Sequence, residues 1–430
     1  MKIHAYFTYL LVTGLVLICA PGCGDDGPTT VSPRMVKSDL PRDTATSLTD
    51  PVVVAQVRGN HDFAFDAYHG IADGTDHNVV YSPYSVTTAF GMQWAGALNQ
   101  TADEIADVMG FVGSQDDVHR ALGALDLYFD TIGAEDPAIF RLSVANAMWA
   151  LPRVELQTPF LDVLAQYYDA GMYLLDFEGD ADGSRRTINA WVEQETNHTI
   201  RDLLPADYND LLSRAWLVLT NAIYFKADWE NEFNATETSP GTFHAPTGDV
   251  NAQMMRQDSL SARYFAGAGF EAVELPYKGG HTTMLILVPE AGGFDAFEQT
   301  LDATAYLDIV DQLAPETLSL RLPKFRYELE TRLDDTLKGL GMELAFDDRA
   351  DFSGIHGGSA VPFFIGAVVH KAFIALDEKG TEAGAATAII SANNCDGGLP
   401  VTVDRPFLYI IRELSTGTIL FLGRVTDPTK

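Results

Sequence analysis

From about Val52 to Lys430 the sequence offers no break: no Pro-, Ser- or Gly-rich linker, no low-complexity tract and no internal repeat. A chain of 430 residues that is 47% hydrophobic can bury one large core, and its length does not demand a second domain. One body over residues 52–430 is the simplest organisation. No disulfide framework braces it. The three cysteines are Cys19, Cys23 and Cys395, and the first two fall in or beside an apolar leader. The fold must stand on packing.

Periodicity makes that body mixed α/β, with helices early and strands late. "GNHDFAFDAYHGIAD" places apolar residues three and four apart. "SPYSVTTAFGMQWAGA" opens with Ser82 as a helix cap and Pro83 at the first helical position. In "TADEIADVMGF", Thr101 and Glu104 have the spacing of a capping box. "TPFLDVLAQYYDAGM" and "GSRRTINAWVEQETN" read as further helices, and "ELETRLDDTLKGLGM" as a helix that stops at Gly341. Strand-like runs follow in "AWLVLTNAIYF", "TTMLILVPE", "TLSLRLPKFRYEL", "GAVVHKAFIALDE", "PFLYIIREL" and "TILFLGRV", the last two joined by an "STG" turn.

The first 51 residues are expected to stand apart. Lys2 and the apolar run "AYFTYLLVTGLVLICA" lead to "APGCGDD", which resembles a bacterial lipoprotein signal over residues 1–22, with Cys23 as the lipidated residue. Ordinary secretion and an uncleaved anchor are the alternatives. Residues 23–51 are rich in Pro, Thr, Ser and Asp and are expected to form a flexible tether. The protein would then be exported, and either lipid-anchored to a bacterial membrane or secreted. The formal charge of −32, from 28 Lys and Arg against 60 Asp and Glu, argues against nucleic acid and anionic membrane surfaces as partners, since both need basic patches.

Catalytic and cofactor motifs are missing from the pattern. The ten histidines are scattered and none has metal-pair spacing. There is no Gly-x-Ser-x-Gly elbow and no phosphate loop. "GAGFEA" (Gly267 to Ala272) loosely matches a dinucleotide loop but does not clearly join a strand to a helix. No cofactor, no metal and no catalytic residue are expected.

Five stretches together resemble the serpins, a family of suicide protease inhibitors: "NVVYSPYSVTTAFGMQWAGALNQTADEI", "LTNAIYFKADWENEF", "LPKFRYELETRLDDTLKGLGMELAFDDRADFSGI", "VVHKAFIALDEKGTEAGAAT" and "VTVDRPFLYII". They follow family order across about Val57 to Lys430. The resemblance implies one mixed α/β domain with three β-sheets, eight or nine helices and an exposed reactive loop, here about Gly380 to Pro400. It implies a non-enzymatic inhibitor of serine, or also cysteine, endopeptidases that acts as a monomer. A non-inhibitory binding or scaffold protein on the same fold is the rival reading.

The resemblance also assigns residues. Gly380, Thr381, Glu382, Ala383, Gly384, Ala385, Ala386 and Thr387 form the hinge that enters the main sheet after the loop is cut. Alternation along a strand puts Thr381, Ala383, Ala385 and Thr387 on one face. All four are small and uncharged, as a buried strand requires. Ser82, Ser85, Asn221 and His370 match a polar cluster under the centre of that sheet. Trp229 matches an aromatic at the point of first insertion, and Lys324 with Glu378 a pair at the top of the sheet. Counting from Glu378 places the cut after Asn394; counting back from Pro406 places it after Cys395. "IISANNCDGG" holds no Lys or Arg, so elastase-like, subtilisin-like or cysteine proteases are expected rather than trypsin-like ones. "QDDVHRALGALDLYF" is not a basic helix, so no heparin site is expected.

Overall fold

A computed structural model describes residues 33–135, 137, 140–358, 363–381 and 398–430. The chain runs through β1 (Arg34–Val36), α1 (Pro51–Ala72), β2 (Val79–Tyr81), α2 (Pro83–Trp94), α3 (Asn99–Met109), α4 (Gln115–Glu135), β3 (Phe140–Ala150), α5 (Thr158–Tyr168), β4 (Met172–Leu174), α6 (Ala181–Glu195) and α7 (Asn209–Leu212). Strands then dominate: β5 (Leu217–Asp228), β6 (Ser239–Ala245), β7 (Gly248–Gly267), β8 (Phe270–Pro276) and β9 (Thr282–Pro289). Helices α8 (Phe294–Thr300) and α9 (Ala303–Gln312) precede β10 (Ala314–Pro323) and β11 (Phe325–Arg332). Helices α10 (Asp334–Gly339) and α11 (Ser353–His356) precede β12 (Ile365–Leu376), β13 (Gly380–Thr381), β14 (Leu399–Thr402), β15 (Phe407–Glu413) and β16 (Ile419–Val425).

The main sheet has the order β1-β4-β3-β5-β13-β12-β11, with β5 and β12 also paired directly and in parallel. A second sheet runs β14-β10-β7-β8-β9-β15-β16-β2, with β6 on β7. Three sheets are implied by the resemblance. Among the described residues the second and third are continuous, because the 20-residue β7 pairs with β6 and β10 and then with β8. Seven described helices have ten residues or more and four are shorter.

Alternation along β5 explains its burial on both faces. Ile223, Phe225 and Ala227 pack toward β9 and β15, against Met284, Ile286, Tyr409 and Ile411. Ala222 and Tyr224 face the other way, into a cluster with Ile188 and Val192 of α6. The central strand is therefore sandwiched, which is why its sequence reads as a continuous apolar run.

Three expectations change. Ser82 does cap α2, its hydroxyl accepting from the Ser85 amide at 3.1 Å, but Thr101 and Glu104 cap nothing in α3. That helix starts at Asn99; the Thr101 hydroxyl accepts from the Asp351 amide at 2.9 Å and Glu104 from the Leu344 amide at 2.7 Å. Tertiary partners took the two side chains. "ELETR" is the end of β11 rather than helix, because it pairs with β12 from Phe325↔Leu376 to Arg332↔Val369. "GAGFEA" is a tight antiparallel turn between β7 and β8, in line with the reading that it is no dinucleotide loop.

The third concerns the tether. Its described part, residues 33–50, is docked on the body instead of free. Strand β1 pairs antiparallel with β4, Arg42 ion-pairs with Asp126 and Asp130, and the Asp43 amide donates to the Gln166 carbonyl at 2.7 Å. Composition could not show this, since polar residues with specific partners and polar residues in solvent look alike. Residues 1–32, with the leader and Cys23, lie outside the described residues.

Candidate functional site

The site is the seam between β5 and β12. The two strands pair from Ile365↔Leu217 to Phe373↔Tyr224 and then part. Into the gap comes β13: Thr381 pairs with Ala227 of β5 and with Leu376 of β12, and Gly380 with Asp228. Gly380 is needed for close approach, since a Cβ there would lie 2.0 Å from the Ala227 carbonyl oxygen. The Thr381 side chain is buried and shares a 2.6 Å hydroxyl–hydroxyl hydrogen bond with Tyr277. So Gly380 and Thr381, the first two residues expected in the hinge, occupy the main sheet. Glu382, Ala383, Gly384, Ala385, Ala386 and Thr387, together with Asn394 and Cys395, lie outside the described residues.

Trp229 organises the mouth of the gap. Its backbone amide donates to the Lys379 carbonyl at 2.6 Å, and its indole to the Asp377 carbonyl at 3.1 Å. Its ring stacks on Tyr277, 4.4 Å between centroids and 7° from parallel. Trp229 thus holds the backbone leading into the hinge, while Tyr277 holds the hinge side chain. Nearby, Lys324 reaches Glu378 at 2.6 Å and the Thr238 hydroxyl donates to the same carboxylate at 2.7 Å. Burial alone would raise the Glu378 pKa; these two donors and its own backbone amide outweigh it and hold the carboxyl below its usual range.

Below the gap, where β5 and β12 are still paired, lies the polar cluster. His370 and Asn221 face each other in register, and all four expected residues are buried. His370 Nε2 accepts from the Ser82 amide at 3.2 Å, which leaves Nδ1 to donate to Asn221 Oδ1. The Asn221 amide donates to Ser85 Oγ at 2.7 Å. Burial lowers the His370 pKa to about 3, so the ring is neutral. The cluster ties α2 to both sides of the seam: Ser82 to β12, Ser85 to β5.

Two members escaped sequence reasoning. Asn146 of β3 donates to the Ser85 carbonyl at 3.0 Å, accepts from the Ser85 hydroxyl at 3.3 Å and also meets Asn221. Its signal was present as a lone amide in the apolar run "VANAMWA". Tyr277 carried none, because a tyrosine beside a turn is ordinary. Among the described residues no His, Cys, Asp or Glu group could hold a metal.

Comparison with known proteins agrees with this geometry. The family model described as Serpin (serine protease inhibitor) matches residues 58–428. An uncharacterized serpin-like protein of Thermococcus kodakarensis is 36% identical, over 98% of this chain and 99% of its own. Human Serpin B3 is 32% identical, over 86% of this chain and 98% of its own. The crystal structure of human thyroxine-binding globulin superposes with a TM-score of 0.79 at 25% identity, covering 88% of this chain and all of that one. Fold, seam and sequence agree: the chain belongs to the serpin family, whose members are in general protease inhibitors and not enzymes.

Proposed function

We propose that this protein is a single-use inhibitor of serine endopeptidases, with cysteine endopeptidases as a second target class. The protease nucleophile attacks the carbonyl of the bait bond, after Asn394 or Cys395, and forms an acyl-enzyme while the new amine end of the loop departs. The front half of the loop then enters between β5 and β12 and draws the attached protease with it. An oxyanion hole pulled out of shape no longer stabilises hydrolysis of the ester or thioester, so the complex persists. The observation that carries this reading is Thr381, already buried in the gap as a small uncharged residue. Continuing the strand lengthens an existing ladder rather than starting one.

The rival is a carrier or scaffold. The likeness to thyroxine-binding globulin, solved with thyroxine, is the observation that favours it. A panel of elastase-like, subtilisin-like, trypsin-like and cysteine proteases separates the two. An SDS-stable complex with an elastase-like, subtilisin-like or cysteine member is expected, with the released C-terminal peptide identifying the bond. Cleavage of the loop by all members with no complex formed would leave the carrier reading standing. We further propose that the protein is exported and held at a bacterial membrane by lipid on Cys23.

A further inference from the structure

We propose that residues 34–50 are a clamp on the main sheet, which slows the parting of β5 from β12 and so sets how long the unreacted molecule stays poised. The inference rests on the inhibitory reading. It starts from a segment ahead of the family match, which begins at residue 58.

The segment crosses several layers. Strand β1 pairs with β4 from Arg34↔Leu174 to Val36↔Met172. The approach is close: a Cβ on Gly171 would lie 2.5 Å from the Val36 carbonyl oxygen. The Lys37 ammonium donates to the Asp169 carbonyl, at the end of α5, at 2.7 Å. Arg42 then bridges two carboxylates of α4, Asp126 at 2.5 Å and Asp130 at 2.7 Å. Asp50, which caps α1, faces Arg120 of α4 at 3.5 Å. Val36 and Leu48 add apolar burial at either end.

Inserting one strand widens a sheet by about 4.7–4.9 Å. Strands β1, β4, β3 and β5 lie on one side of the gap, β12 and β11 on the other. Helix α2 is bonded to both sides, so it cannot follow both. The β5–β3–β4 flank must therefore shift over the helical layer. It has room to do so. A cavity of about 310 Å³ lies beneath β3, lined by Tyr84 and Thr88 of α2, Phe129 of α4 and Val144 and Asn146 of β3, with Arg42 on its wall. Arg42 lines that cavity while its own segment is paired to β4. A shift of one strand width would break ion pairs of this length. Asp126 is partly desolvated, which pushes its pKa up to about 7, and Arg42 is its main compensating charge.

The test compares full-length wild type with Arg42→Ala, with Lys37→Ala as a milder variant at the other end of the clamp. Arg214→Ala removes an exposed ion pair elsewhere and serves as control. Two quantities are followed at one temperature: deuterium exchange at β5 and β12 amides, and the half-life of protease trapping. Arg42→Ala is expected to accelerate β5 and β12 exchange at least tenfold and to shorten the half-life similarly. Exchange in β16 and the control should stay at wild-type rates. Wild-type exchange in both clamp variants overturns the proposal, as does acceleration in step with β16, which would mean general loosening. A wild type that traps no protease would sink the inhibitory reading instead, and the exchange comparison would still decide the clamp.

Discussion

Under the inhibitory reading proposed above, His370 and Thr381 are the two residues on which opening and filling of the sheet would turn. His370 is neutral in the closed sheet because burial holds its pKa at about 3. Protonation would also set an Nε2–H against the Ser82 N–H, two donors face to face. Once the strands part and water enters, the ring returns toward its ordinary ~6.5. The parted state therefore binds more protons between those two values. The closed form has its full stability above about pH 6.5 and loses it progressively as pH falls toward 3, by at most about 1.4 kcal/mol per pH unit. His119, lowered to about 4 by burial, and Asp126, raised to about 7, lie on α4 away from the seam and titrate in the same range. The comparison is therefore between wild type and His370→Gln from pH 7.5 to 5. Wild type is expected to lose trapping capacity faster as pH falls, and the variant with a shallower slope. Equal slopes would remove His370 from the gate. Thr381→Arg addresses filling. An unpaired charge buried against Tyr277 costs several kcal/mol, so the loop should still be cut while complex yield drops more than tenfold. Undiminished trapping would show that the hinge lies elsewhere.

At the scale of elements, the strands were more legible than their ends. β5, β9, β12, β15 and β16 were visible as apolar runs because both faces are buried. Strand β3 was not singled out, although it pairs with β5 along its whole length from Phe140↔Ala227 to Ala150↔Leu217. Its half of the sheet is partly exposed toward Arg141 and Ser143, so the apolar pattern is diluted. Only the end of β11 reads as helix, because "ELETRLDDTL" has good helix formers, and pairing with β12 overrides that preference. Helix α2 was readable from Ser82 and Pro83, a local cap that needs no distant partner. The α3 cap failed for the converse reason: Thr101 and Glu104 serve backbone amides some 250 and 240 residues away in sequence. The candidate site follows the same rule. His370, Asn221, Ser82 and Ser85 came from block resemblance, while Asn146 and Tyr277 emerged only once β3 and the β8–β9 turn were laid beside the seam.

At the scale of the whole molecule, the docked segment alters what an anchor would do. If lipid sits on Cys23, only about ten residues separate it from Pro33, a span of at most roughly 35 Å at ~3.5 Å per residue. Expression of wild type and Cys23→Ser in a bacterial host, followed by fractionation, is expected to put wild type with membranes and the variant in the soluble fraction. A soluble wild type with an unmodified N-terminus would end the anchor reading and leave the inhibitor reading untouched. By itself the sequence determined the mixed α/β class, the single body and the small uncharged character of the hinge, because these depend on local pattern and composition. Only the tertiary structure decided that Thr381 is already in the sheet, that Asn146 and Tyr277 belong to the site, and that residues 33–50 are docked. Each depends on a partner distant in sequence, and a hydrogen bond or ion pair between distant segments leaves no periodicity in either one.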